Sequence, residues 1–144
     1  MSPSELHSFL VREFPQSDPE WMRIEAAAYR YCRIRSIIGE GDLRPGGTVS
    51  AHTMMSLADT AMYLAVLTTI GPVPLCLTTS FNISFLRRPD KSDIIAEAKI
   101  LKLGKRLAVG EVALFSLGVE ELVAHATVTY SIPPNAQREG AEGQ

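Results

Sequence analysis

The sequence predicts an α+β fold in which an antiparallel sheet wraps around one long apolar helix. Two observations predict this class. Residues 53–86 contain a single formally charged side chain, Asp59, and the first half of the stretch is apolar on nearly every helical face, as in a fully buried helix. After Gly71 and Pro72 the apolar period changes from 3.6 residues to two, which is typical of strands with one face on a core. Helices and strands segregated along the chain in this way indicate an α+β domain.

Two helices are predicted before that change of period. A short amphipathic helix covers about residues 4–14, because four apolar residues there fall at helical spacing and Pro15 follows: Leu6, Phe9, Leu10 and Phe14. The central helix covers about residues 50–70. Thr48 or Ser50 can cap its start, and the Gly71-Pro72 pair ends it.

The strands follow from alternation of apolar and polar residues. Residues 21–38 are strand-like and form one long strand or two short ones, before a glycine-rich loop. Four more strands are predicted over residues 75–86, 94–102, 106–116 and 122–132. In the first of them, strict alternation places one set of side chains on the core face: Leu75, Leu77, Thr79, Phe81, Ile83 and Phe85. Residues 1–134 then form a single domain, and the polar residues 135–144 form a disordered tail.

Composition narrows the function classes. The 144 residues suit one soluble domain, and a net charge of -2 gives no reason to expect nucleic acid or anionic membrane as a partner. Only Cys32 and Cys76 could pair, and without a signal-like start they are expected to be reduced in a cytoplasmic protein. Residues 53–77 are long enough to cross a membrane, but a mid-membrane charge at Asp59 is costly, so no membrane span is expected. No motif indicates a metal or a cofactor.

The position of Asp59 on an apolar helix needs a physical explanation. Burying an ionised carboxylate costs several kcal/mol unless partners offset the loss of hydration. A carboxylate on an apolar helix is therefore either held by a hydrogen-bond network or used in chemistry. Composition and periodicity leave both possibilities open.

Four short motifs carry a family resemblance that covers residues 21–133. They are residues 47–52 (GTVSAH), 57–61 (LADTA), 81–89 (FNISFLRRP) and 103–108 (LGKRLA). In this order and spacing they resemble the hot-dog-fold thioesterases of the PaaI-like group, named for phenylacetyl-CoA thioesterase. The resemblance implies a hot-dog fold, hydrolysis of an acyl-CoA thioester, and a homodimer or homotetramer whose site is shared between two subunits.

The resemblance also assigns roles around the central helix. It places the family's acid on Asp59, as nucleophile or general base, and both roles are open because an acid in an apolar pocket gains basicity and a carboxylate can carry an acyl group. It places the oxyanion-hole amide on Ala51. The chain departs from the family here, since Ser50-Ala51-His52 stands where the family usually has His-Gly-Gly. Any carbonyl-orienting role of the lost His passes to Ser50 or is lost, and His52 either lines the pocket or faces solvent.

The strand after the central helix and the basic loops supply the remaining candidates. The family hydroxyl that holds the water aligns with Thr78, whereas alternation puts Thr79 on the core face, so either residue is a candidate. Asn82 lies in the same motif and is a further substrate-binding candidate. Basic residues at strand ends are expected to bind the phosphates of CoA: Arg87, Arg88, Lys105 and Arg106, with Lys102 nearby.

Two other functions remain open for the same fold. A hot-dog dehydratase or hydratase needs a catalytic His paired with an acid across the site, and only His52 is close to a suitable position. A non-catalytic acyl-CoA-binding protein is the second alternative, because the altered Ser50-Ala51-His52 turn departs from the family's oxyanion hole.

Overall fold

The computed structural model describes residues 1–15, 19–89 and 91–134, so the tail predicted over residues 135–144 lies outside the described residues. Two helices and six strands follow in this order: α1 (Pro3–Glu13), β1 (Met22–Ala28), β2 (Tyr31–Ser36), α2 (Ala51–Ile70), β3 (Leu77–Phe85), β4 (Ile94–Leu103), β5 (Leu107–Ser116) and β6 (Leu122–Ser131). The strands form one antiparallel sheet in the order β1-β2-β4-β5-β6-β3. This is the predicted hot-dog architecture, a sheet wrapped around one buried helix with a short N-terminal helix added.

Helix α2 forms the centre of the core. Ser50 caps its first turn by accepting a hydrogen bond from the Thr53 amide, and Gly71, with φ of 91°, ends it. The ten residues from Leu57 to Val66 include eight buried side chains, because the sheet covers the helix on most sides. The helix is long and apolar enough to span a membrane, but in this fold it is the core helix that the sheet encloses.

Helix α1 closes one end of this core. Ser2 and Glu5 form a capping box at its start, in which each side chain accepts a hydrogen bond from the other residue's amide. Its apolar face is buried against the domain through Leu6, Phe9 and Leu10. Helix α1 therefore forms an additional wall of the domain beside β1 and α2.

The two edges of the sheet differ in character. Strand β1 carries Arg23 and Glu25 and contacts α1. Strand β3 has no charged residue over Leu77–Phe85, and most of its side chains are exposed. Charges and covering elements protect a sheet edge from pairing with another chain, whereas a long uncharged edge invites it. The open edge of this sheet is therefore β3.

A β-bulge in β3 corrects the predicted face of its first residues. Thr78 lies opposite Tyr130 and Ser80 lies opposite Thr129, which leaves Thr79 as an extra residue between them. Because a bulge shifts the alternation by one residue, Thr78 rather than Thr79 shares the core side with Tyr130. The prediction that Leu77 packs on the core face is wrong for the same reason, and its side chain is 67% exposed.

Candidate active site

The carboxylate of Asp59 lies at the surface end of a polar cluster rather than deep in the core. It is half-buried on α2, and its Oδ1 atom accepts hydrogen bonds from the hydroxyls of Thr78 at 2.7 Å and Tyr130 at 2.9 Å. The Tyr130 hydroxyl also lies 3.1 Å from the Asp59 carbonyl oxygen. Both side-chain donors reach the same oxygen, so Oδ2 has no hydrogen-bond partner among the described residues. The site thus holds an oriented carboxylate with one oxygen available to a ligand.

Tyr130 is the member of this cluster that the sequence did not reveal. Burial, with the adjacent charge of Asp59 as a further cause, raises the pKa of Tyr130 above its ordinary value of 10.0. The phenol therefore remains protonated at neutral pH and acts as a fixed donor to the carboxylate. Its ring stacks on Tyr63 at a centroid distance of 5.8 Å, which holds the hydroxyl in place. Tyr130 joins the site because β6 places it directly opposite Thr78, a pairing between distant parts of the chain that no local sequence pattern indicates.

Asp59 lies between two cavities. The first, of about 350 Å³, has mostly apolar walls and extends from Asp59 towards α1 and Trp21. The second is a more open groove of about 280 Å³ between α2 and β3, and besides Asp59 it is lined by His52, Met55, Ser56, Thr78 and Phe81. We call them the apolar pocket and the β3 groove. A substrate that occupies both cavities can therefore place the bond between its two parts at the carboxylate.

The start of α2 presents backbone amides that no side chain caps. Ser50 uses its hydroxyl on the Thr53 amide and its own amide on the Asp42 carbonyl oxygen. Among the described residues, the amides of Ala51 and His52 have no acceptor, as is usual in the first turn of a helix. Ser50 is thus engaged as the helix cap, while the exposed His52 side chain lines the β3 groove.

Asp42 holds this turn in place and was not singled out from the sequence. Its Oδ1 atom accepts a hydrogen bond from the Thr53 hydroxyl at 2.9 Å, and its Oδ2 atom accepts one from the Gly39 amide at 2.8 Å. The Thr53 hydroxyl in turn accepts one from Ser50 at 3.0 Å. The loop before α2 is therefore tied to the first turn of the helix through one carboxylate.

The Ala51 amide and the Asp59 carboxylate of one chain are too far apart to serve the same carbonyl group. Eight residues separate them along α2, which corresponds to about 12 Å of helix rise. A reacting carbonyl must lie about 3 Å from both its nucleophile and its oxyanion donor. Within a single chain, the structure does not bring Ala51 and Asp59 together.

Two predicted site residues on β3 lie away from Asp59. Thr79 is the bulged residue, and its hydroxyl donates to the Thr129 carbonyl oxygen at 3.3 Å. Asn82 is exposed and lies opposite Thr127, one residue out of phase with the core-facing Phe81. The structure therefore brings Thr78, but neither Thr79 nor Asn82, to the carboxylate.

The predicted basic residues fall into two groups at opposite ends of the sheet. Lys105 and Arg106 lie in the β4–β5 turn, at the end of the sheet where Leu77 and Leu107 both pair with Ser131. Arg87 and Arg88 follow the far end of β3, where Arg87 pairs with Glu121 at 2.8 Å. Nine residues of extended chain, about 30 Å, separate Thr78 from Arg87. Within one chain, these four basic residues therefore do not lie in a single cluster.

No group of three or more His, Cys, Asp or Glu side chains suited to a metal ion occurs within residues 1–15, 19–89 and 91–134. The described part of the site instead consists of the carboxylate, two hydroxyl donors and the amides at the start of α2.

Known structures share this fold over nearly the whole chain. A protein from Silicibacter sp. TM1040, described as a candidate thioesterase, is 40% identical over 93% of both chains, with a TM-score of 0.83. Phenylacetic acid degradation protein PaaI from Thermus thermophilus, solved as a mutant, is 25% identical over 81% of this chain and 100% of its own, with a TM-score of 0.70. Zebrafish thioesterase superfamily member 2 is 18% identical over 92% of this chain and 99% of its own, with a TM-score of 0.79, and shows the fold alone.

Two comparisons of the sequence were made. In the first, no curated protein is significantly similar to the chain. The family model of the thioesterase superfamily, however, matches residues 46–123, which include α2 with Asp59, and strands β3 to β5. The match covers more than half of the chain, and so the chain belongs to the thioesterase superfamily.

Proposed function

We propose that this protein is an acyl-CoA thioesterase that hydrolyses its substrate to a free acid and CoA, with Asp59 as the catalytic carboxylate. The observation that carries the proposal is the geometry of Asp59. Thr78 and Tyr130 hold one of its oxygens, the other is available, and the carboxylate lies where the apolar pocket meets the β3 groove. Family membership supports thioester hydrolysis as the reaction class.

The carboxylate can act in two ways. As a general base, Oδ2 of Asp59 takes a proton from a water molecule whose oxygen attacks the thioester carbonyl carbon. The tetrahedral intermediate then expels the CoA thiolate, which receives that proton. As a nucleophile, Oδ2 attacks the carbonyl carbon itself and expels the thiolate, and water then hydrolyses the acyl-enzyme anhydride. Both routes require the negative charge on the carbonyl oxygen to be stabilised by hydrogen-bond donors.

The donor for that oxygen comes from a second copy of the chain. The Ala51 amide of the same chain is about 12 Å of helix rise from Asp59, whereas Ala51 of the partner subunit can approach if two copies associate through β3. The edge of β3 supports such a dimer, because it is uncharged and leaves Leu77 and Phe85 67% and 46% exposed. A homodimer, alone or within a homotetramer, then contains two shared sites.

The same pairing of β3 with β3 brings together the two groups of basic residues that lie at opposite ends of one sheet. If two β3 strands pair antiparallel about Phe81, Leu77 of one chain faces Phe85 of the partner subunit. The segment containing Arg87 and Arg88 of the partner then lies beside the end of the sheet that carries Lys105 and Arg106. Four cations from two chains would then lie on the same side of the dimer and could give the phosphates of CoA the charge-assisted hydrogen bonds they need.

Both cysteines are buried thiols outside any disulfide, which suits a reducing cytoplasmic location.

Release of CoA thiol from a panel of acyl-CoA substrates tests the proposal. The native protein should release thiol, and Asp59→Asn should lose at least about a hundredfold in kcat, since a general base contributes roughly 10²–10⁴-fold. Full activity in Asp59→Asn would remove the carboxylate from the mechanism while leaving the reaction class intact. Binding of acyl-CoA without thiol release by the native protein would favour the non-catalytic alternative.

A further inference from the structure

Much of the apolar pocket lies outside the part of the chain that the thioesterase family model matches. Several of its lining residues precede residue 46, among them Leu10 and Phe14 on and just after α1, and Trp21 and Met22 at the start of β1. Helix α2 contributes Tyr63, one helical turn beyond Asp59. The shape of this pocket is therefore a property of this chain's N-terminal segment and not of the matched family core alone.

We propose that the apolar pocket binds the acyl group and selects an uncharged, apolar acyl group of up to about ten non-hydrogen atoms. This inference rests on the proposed function, because it places the thioester carbon at Asp59 and the acyl chain on the α1 side. The pocket volume of about 350 Å³ has room for a group of this size, since a methylene group is similar in size to a water molecule, which occupies roughly 30 Å³. Octanoyl and phenylacetyl groups both fit this volume.

The chemistry of the walls sets the charge limit. Asp59 is the sole charged residue among the described lining residues, and the rest are mostly aromatic, aliphatic or sulfur-containing. An acyl group with a terminal carboxylate would lose its hydration there without meeting a cation, which is costly. The tyrosine hydroxyls cannot stabilise that carboxylate in place of a cation, because both protons are already donated. Tyr130 donates to Asp59, and Tyr63 donates to the Pro74 carbonyl oxygen at 3.4 Å. The pocket therefore discriminates against dicarboxylic acyl groups such as succinyl.

Phe14 is the wall residue best suited to a test. Its ring meets Tyr63 edge to face at a centroid distance of 6.1 Å, and both rings line the pocket. It is 38% exposed, and its replacement by Ala should leave the core intact. Val11 on the same helix is 48% exposed and does not line the pocket. Val11→Ala is therefore a matched control for an apolar truncation on α1.

Trp21 gives a direct measure of pocket occupancy, because it is the only tryptophan in the chain. We would titrate the Asp59→Asn protein, in which turnover is expected to be at least about a hundredfold slower, with CoA, acetyl-CoA, octanoyl-CoA, phenylacetyl-CoA and succinyl-CoA. The octanoyl and phenylacetyl esters should shift the Trp21 emission to the blue, while CoA and succinyl-CoA should leave it unchanged. Adding Phe14→Ala should weaken octanoyl-CoA binding about tenfold through lost apolar contact, and adding Val11→Ala should not.

Each outcome bears on one of the two proposals. Equal emission shifts with CoA and octanoyl-CoA, equal affinity for succinyl-CoA, or identical effects of the Phe14 and Val11 substitutions would overturn the pocket assignment. Thiol release by the native protein with no dependence on acyl length would overturn it too and would leave the thioesterase intact. A length-dependent Trp21 response without thiol release from any ester would support the pocket and refute the hydrolase.

Discussion

The contrast between Thr78 and Thr79 gives the sharpest test of the proposed site. The two threonines are adjacent in sequence and both are exposed, but only Thr78 donates to Asp59. Thr79 instead donates to a backbone carbonyl oxygen of β6. We predict that Thr78→Ala impairs catalysis and that Thr79→Ala does not, because only the first substitution removes a hydrogen-bond donor from the carboxylate.

The magnitude follows from the type of hydrogen bond. A bond to a charged group contributes roughly 1.5–3 kcal/mol, and the exposure of Thr78 places this one near the lower end. The carboxylate keeps its second donor, Tyr130, so orientation is weakened and not abolished. A loss of about 1.4 kcal/mol in transition-state stabilisation corresponds to a tenfold fall in kcat/KM.

Steady-state thiol release and thermal unfolding would be measured for both variants. The expected pattern is a fall of about tenfold in kcat/KM for Thr78→Ala, near-native activity for Thr79→Ala, and similar unfolding temperatures for the two. Equal activity in the two variants would refute the role assigned to the β-bulge. A larger fall in kcat/KM for Thr79→Ala than for Thr78→Ala would show that β3 in the active protein follows strict alternation and not the bulged register.

The remaining predictions address the second donor, the subunit contact and the helix start. Tyr130→Phe should lower kcat by about tenfold with little change in KM, because the lost hydrogen bond orients the carboxylate and does not bind CoA. Phe85→Lys should halve the mass measured by light scattering and abolish activity, whereas Ala28→Lys on the other sheet edge should change neither. Asp42→Ala should lower the free energy of unfolding by about 1–2 kcal/mol and reduce activity, because it unties the loop from the first turn of α2. Chemical denaturation and thiol release would measure the two effects, and Glu40→Ala, at an exposed position, should change neither.

The fold could be predicted because its strongest signals are local. The stretch around Asp59 is apolar on all faces, and a helix of that kind has to be enclosed. The period-two alternation from Ile94 onwards identified strands close to those observed, and short turns between them required antiparallel neighbours. The resemblance in the motifs then placed these elements in one architecture, which the structure and its relatives confirm.

The site was less accessible to sequence reasoning because it depends on long-range pairing. Whether Thr78 or Thr79 faces Asp59 is decided by a bulge against β6, and no residue within β3 specifies that bulge. The contact between Tyr130 and Asp59 joins positions 71 residues apart. The sequence also could not show that Arg87 and Lys105 lie at opposite ends of the sheet, since that follows from the strand order.

The open edge of β3 and the chemistry of Asp59 are linked through the same strand. The bulge turns Thr78 towards the carboxylate, and the uncharged residues that follow leave the edge free for a second copy. A monomer would retain the oriented carboxylate, because both of its donors belong to its own chain. It would lack an oxyanion donor within reach, because its own Ala51 amide is about 12 Å away along α2. Loss of activity in Phe85→Lys should therefore occur while saturating octanoyl-CoA still shifts the Trp21 emission, although the loss of the partner's Arg87 and Arg88 weakens the affinity for the CoA part. Loss of the activity and of the Trp21 response together would indicate a collapsed pocket, in which case the shared site would not be the explanation.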